Sequence, residues 1–114
     1  MRLSARFLAA AAALAAGAAW AQVPDGRDLF ARPGKGNCIA CHQVPEGQGP
    51  AVRSDVGPRL DAARLKGWDR ARLRELLDDP MKSNPDTVMP PYGRHRILDA
   101  REIERIIDYL HALP

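Results

Sequence analysis

The chain has few cysteines and few lysines. Two cysteines stand among 114 residues, too few for a multi-disulfide framework or for a zinc site built from four thiolates. Three lysines, Lys35, Lys66 and Lys82, form no cluster of the kind that steers a diffusible charged partner. No stretch carries a strand pattern, no segment repeats, and no low-complexity tract follows residue 21. What remains is a small all-α domain of helices and loops. At 114 residues there is room for one such domain and not for two.

A long apolar run is also missing. Phe7 to Ala19 is apolar and alanine-rich but too short for a confident transmembrane span. With the positive Met1–Arg6 region before it and the small-x-small site Ala19-Trp20-Ala21 after it, it reads as a signal peptide over residues 1–21. Gln22 then begins the mature domain, 22–114, which is expected to be periplasmic. Losing Arg2 and Arg6 leaves 15 basic against 14 acidic residues, a formal charge of +1 instead of +3. The basic precursor is therefore no evidence for nucleic-acid binding, and no membrane span is expected after cleavage.

What is present begins with Cys38-Ile39-Ala40-Cys41-His42. C-x-x-C-H is the attachment spacing of c-type haem. Two thiols three residues apart add across the two haem vinyl groups, and the histidine directly after the second cysteine becomes an axial iron ligand. Cys38 and Cys41 are thus the expected tethers of one covalent haem c, with His42 as the proximal ligand. Three alternatives stay open at this point: a short strained disulfide, a thioredoxin-like dithiol lacking its βαβ context, and a zinc site recruiting His95 or His111, which lack paired spacing.

In chain order, Asp25 caps a helix from Gly26 to Ala31 or Arg32, burying Leu29 and Phe30. Pro33-Gly34-Lys35-Gly36 ends it. Residues 43–58 read as a long loop, which in a compact domain is usually functional or wrapped on something. In Gly57-Pro58-Arg59-Leu60, the Pro58 carbonyl is the candidate acceptor for His42 Nδ1, with an ordinary turn as the alternative. A short helical segment over Leu60 to Leu65 precedes a second clear helix, capped by Asp69 and running from Arg70 to Asp78 or Asp79. It carries Leu73, Leu76 and Leu77 inward and a solvated arginine face outward. Trp68 is read either against a haem edge or in plain core.

Met89 stands between Thr87-Val88 and Pro90-Pro91, a rigid setting from which to offer a thioether. It is the expected second axial ligand opposite His42, and such Met/His ligation raises the reduction potential. Met81 at a helix end, His95 and an open position are the alternatives. Thr87 and Tyr92 are candidates for tuning the site. The last helix starts at Asp99, with Glu102 as capping-box partner and Leu98 stapled to Ile103. Ile103, Ile106, Ile107 and Leu110 form its apolar stripe.

In this order of elements, residues 26–114 resemble a class I monohaem cytochrome c. The resemblance implies that the first and last helices cross with Gly26, Phe30 and Tyr109 near the contact, and that the Pro58 carbonyl holds His42. The run Asp79 to Leu98, DPMKSNPDTVMPPYGRHRIL, together with Gly36 to Gln43, is similar to the SoxX family, the small monohaem subunits of SoxAX thiosulfate-oxidation complexes. That resemblance implies an electron-transfer subunit, not catalytic on its own chain, within a heterodimeric L-cysteine S-thiosulfotransferase. It further implies a SoxA-like partner, the carrier SoxYZ reached through the complex, and a downstream cytochrome as electron acceptor. The lack of a third cysteine suits the electron-transfer role. A free-standing diffusible cytochrome c is the other reading of the same residues.

Overall fold

An aspartate opens each α-helix of the computed structural model, which describes residues 22–114. The expected signal peptide lies outside those residues. Helix α1 is Gly26–Ala31, α2 Ala62–Leu65, α3 Arg70–Asp78 and α4 Ala100–His111, with short 3-10 turns at Cys38–Ala40 and Pro80–Lys82. Asp25, Asp61, Asp69 and Asp99 each accept a hydrogen bond from the amide three residues on, satisfying a donor that the first turn leaves free. No strand occurs among the described residues, and none of their helices is long and apolar enough to cross a membrane.

Helix α4 organises the rest. Its capping box is complete: the Asp99 amide donates to Glu102 and the Glu102 amide donates to Asp99, each at 2.9 Å. Ile103, Ile106, Ile107 and Leu110 are buried along one stripe and meet Leu29 and Phe30 of α1 and Leu73 and Leu77 of α3 in a single core. Leu76 is only half-buried, at the edge of the face its neighbours bury. Where α1 meets α4 the backbones touch. A Cβ on Gly26 would stand 1.9 Å from the Arg105 carbonyl oxygen, so only glycine permits this approach. Beside it the Phe30 and Tyr109 rings lie 5.1 Å apart and tilted by 55°, and the Tyr109 hydroxyl donates to the Gln48 carbonyl at 2.8 Å. The long loop is thereby tied to the helix pair.

The arginine face of α3 is not simply solvated. Arg70 donates to both Glu104 and Asp108, and Arg74 donates to Glu104, so three ion pairs among four side chains of the outer surface bridge α3 to α4. Such pairs join residues thirty or more positions apart, which local charge spacing does not reveal.

Candidate functional site

Three segments far apart in sequence line one cleft of about 470 Å3, within the range of roughly 300–1,000 Å3 typical of cofactor sites. The first is the Gly34–His42 region, the second Val56 to Pro58, and the third Thr87 to Pro90 with Tyr92 and Ile97 behind it. Cys38, Cys41, His42, Pro58 and Met89 all face this space.

Local structure explains how the first segment gets there. Gly34 takes φ +81° to reverse the chain after α1. The Gly36 amide then donates to the Leu29 carbonyl at 3.1 Å, and a Cβ on Gly36 would meet that same oxygen at 2.8 Å and Cys38 Sγ at 3.0 Å. The cysteine motif is thus pressed directly beneath α1. Cys41 and His42 amides both donate to the Cys38 carbonyl, at 3.1 and 2.8 Å, which turns both following side chains to the cleft. Lys35 in this turn reaches Glu102 at the start of α4, 2.6 Å away.

His42 is held on two sides. Its Nδ1–H donates to the Pro58 carbonyl at 2.6 Å, which leaves Nε2 with its lone pair for a metal. Under the ring lies Gly57, where a Cβ would stand 2.4 Å from Cε1 and 2.7 Å from either nitrogen. The Gly57 amide donates to the Cys41 carbonyl at 2.8 Å, fixing the second segment to the first. A bare glycine surface against an oriented imidazole is a cradle that suits a haem ligand.

The thiols are free. Burial, ahead of the nearby Cys41, pushes the Cys38 thiol up to about 12. A thioredoxin-like dithiol needs the opposite, a thiol with lowered pKa. Zinc is no better served: among the described residues no three His, Cys, Asp or Glu side chains converge as a metal set. His111 Nε2 instead donates to the Trp68 carbonyl at 2.9 Å, and His95 is exposed and outside the cleft.

On the third segment the Met89 amide donates to Thr87 Oγ1 at 3.1 Å, a tight turn that sends Val88 out to solvent (81% exposed) and Met89 to the cleft. Met81 lies in the Pro80–Lys82 turn and does not line it. Tyr92 is buried in the cleft wall, and that burial raises its phenol pKa. Trp68 is not in the wall. It packs against the core with the Arg72 guanidinium 3.9 Å above its ring, so its indole serves the α3–α4 end of the molecule.

A larger depression, about 690 Å3, lies between α3 and the start of α4. Its walls hold charged side chains such as Arg74, Glu75 and Asp78 but no cysteine, histidine or methionine. The donor set, not the volume, singles out the smaller cleft. Sequence reasoning did not find Gly57 beneath His42, the Lys35–Glu102 pair, or Val56, which is 66% exposed at the rim of the cleft. The first two depend on long-range approach and had no local signal.

A family model described as cytochrome C oxidase, cbb3-type, subunit III, matches residues 21–110. The chain belongs to this family of c-type cytochromes. A domain of this family carries haem c, a group suited to electron transfer. Among curated proteins, the cytochrome is 35% identical over 79 residues to an uncharacterized lipoprotein of Aquifex aeolicus (strain VF5). The match takes in 68% of this cytochrome but 36% of that relative, so the chain spans about a third of the relative's length. No solved structure matches the cytochrome.

Proposed function

We propose that the chain is an exported, periplasmic monohaem cytochrome in which Cys38 and Cys41 tether the cofactor by thioethers and His42 and Met89 ligate its iron. The observation that carries this reading is the convergence of these four side chains on one cleft, with His42 Nδ1 already engaged by Pro58. When bound, haem c supplies one-electron exchange between ferrous and ferric iron. The residues do the remainder. Pro58 and Gly57 set the plane of the imidazole, Tyr92 and Ile97 wall the cleft against water, and Met89 would supply a second protein ligand to the iron. Two protein ligands leave no place for a substrate, so the chain is an electron carrier with no catalytic step of its own.

Its proposed setting is a SoxAX-like complex, as the small subunit beside a SoxA-like cytochrome. It takes up electrons released when thiosulfate is joined oxidatively to a cysteine of the carrier SoxYZ, and hands them to a downstream cytochrome. Support comes from the Asp79–Leu98 run and from Val56 and Val88, exposed apolar side chains on the rim of the cleft that a partner subunit would cover. The test is a gentle pull-down of the tagged protein from its own periplasm after growth on thiosulfate, with haem staining and intact mass. A stoichiometric, larger haem-bearing partner and one added haem mass are expected. The protein coming down alone with its haem would make it a free-standing diffusible carrier, and a mass without haem would overturn the cytochrome site.

A further inference from the structure

Asp79 is 6% exposed and lies outside the cleft, yet its two carboxylate oxygens are both engaged. Oδ1 accepts from the Met81 amide and Oδ2 from Arg94 Nη1, each at 3.2 Å. Residues 79 and 94 are the two ends of the segment that carries Met89. Next to them the Gly93 amide donates to the Leu77 carbonyl at 3.2 Å and the Arg94 amide to the Asp78 carbonyl at 3.0 Å. The fit is close: a Cβ on Gly93 would lie 2.2 Å from Asp78 Oδ1.

Between these ends the amides are turned inward on the loop. Lys82 donates to Asp79, Asn84 to Pro80, Thr87 to Asn84 and Met89 to Thr87. Tyr92 roots the loop in the core, while its hydrogen-bonded attachment to α3 is concentrated at residues 79, 93 and 94. Arg94 has no other carboxylate partner among the described residues, and its side chain is 60% exposed. Its link to a buried carboxylate serves neither the core nor the cleft wall directly. It joins the two ends of the loop.

We infer that Asp79 and Arg94 are a positioning pair that locks the 80–93 loop closed and so keeps Met89 on the iron. The inference rests on the proposed role of Met89 as ligand. Neither residue touches the ligand; the pair acts through the loop ends. Physically, an external ligand for the position opposite His42 binds only when the loop opens, so its apparent affinity scales with the open fraction. Loosening the pair raises that fraction.

The experiment is imidazole titration of the ferric holoprotein, followed by visible absorption. Asp79→Asn retains the oxygen that serves the Met81 amide and removes the one that serves Arg94. Imidazole binding is expected to tighten about tenfold in Asp79→Asn, the scale of losing one charge-assisted hydrogen bond partly screened by solvent. Arg94→Gln, at an exposed side chain, gives a similar gain, the double variant gives no further gain, and Arg94→Lys returns affinity towards that of the parent. In a Met89→Ala background, where no loop opening is needed, Asp79→Asn changes nothing. Parent-like imidazole affinity in both Asp79→Asn and Arg94→Gln overturns the pair's role, as does an undiminished gain in the Met89→Ala background. Failure of the ligand reading itself looks different: Met89→Ala alone then binds imidazole no more tightly than the parent.

Discussion

Gly57 and His42 are in face-to-face contact, with space for a Cβ at residue 57 blocked at 2.4 Å by the imidazole Cε1. The next residue, Pro58, accepts the Nδ1 proton of that imidazole at 2.6 Å. Support and orientation of the candidate ligand therefore come from two consecutive residues. Gly57→Ala forces the ring to turn and breaks its bond to Pro58. The holoprotein yield is expected to fall by about tenfold or more, the usual scale for losing an outer partner of a ligating histidine. In what does form, a less basic imidazole stabilises ferric iron less, so the reduction potential rises. Haem-stained yield and a redox titration check both points; parent-like values in the variant would contradict them.

At the other glycine contact, Gly26→Ala places a methyl against the Arg105 carbonyl oxygen, 1.9 Å away on the unrelaxed backbone. The obstacle is helix backbone, which cannot rotate aside, so α1 must move off α4. A loss of about 3 kcal/mol is expected, at the upper end of overpacking costs. Equilibrium denaturation of the holoprotein measures it.

Glu104 gives a pH-dependent prediction. Hydrogen bonds from Arg74 and then Arg70 hold its carboxyl below the ordinary value of 4.5. A carboxylate with a depressed folded-state pKa stabilises the fold above its unfolded pKa, and that contribution disappears as pH falls through the folded value. Glu104→Gln is therefore expected to lower the denaturation midpoint at neutral pH and to match the parent well below pH 4.5. Added salt shrinks the neutral-pH difference, because the cluster is exposed. A difference independent of pH and salt would remove the charge explanation.

Local signals carried much of this structure and stopped where contacts became long-range. Asp25, Asp69 and Asp99 announce their helices because an N-cap is decided within four residues, and the α4 stripe is set by period alone. The cysteine motif and the proline-flanked Met89 are likewise readable as separate segments. That they line one cleft is a property of the folded chain. Glu102 shows the boundary well: its capping role follows from its spacing to Asp99, whereas its pairing with Lys35 follows from how α1 lies on α4. Arg70 and Arg74 fell on the wrong side of that boundary, since a basic helix face gives no hint of acidic residues on another helix. Trp68 had two plausible surfaces in the sequence, and only packing put it beneath Arg72.

In the proposed site Met89 completes the coordination that His42 begins. Near-infrared magnetic circular dichroism of the ferric holoprotein tests it most directly, because thioether-to-iron charge transfer gives a band that nitrogen or water ligands do not. The band is expected in the parent and in Met81→Ala, and absent in Met89→Ala, whose covalent haem is retained. A Met89→Ala protein that keeps the band, or a parent that lacks it, would contradict the account.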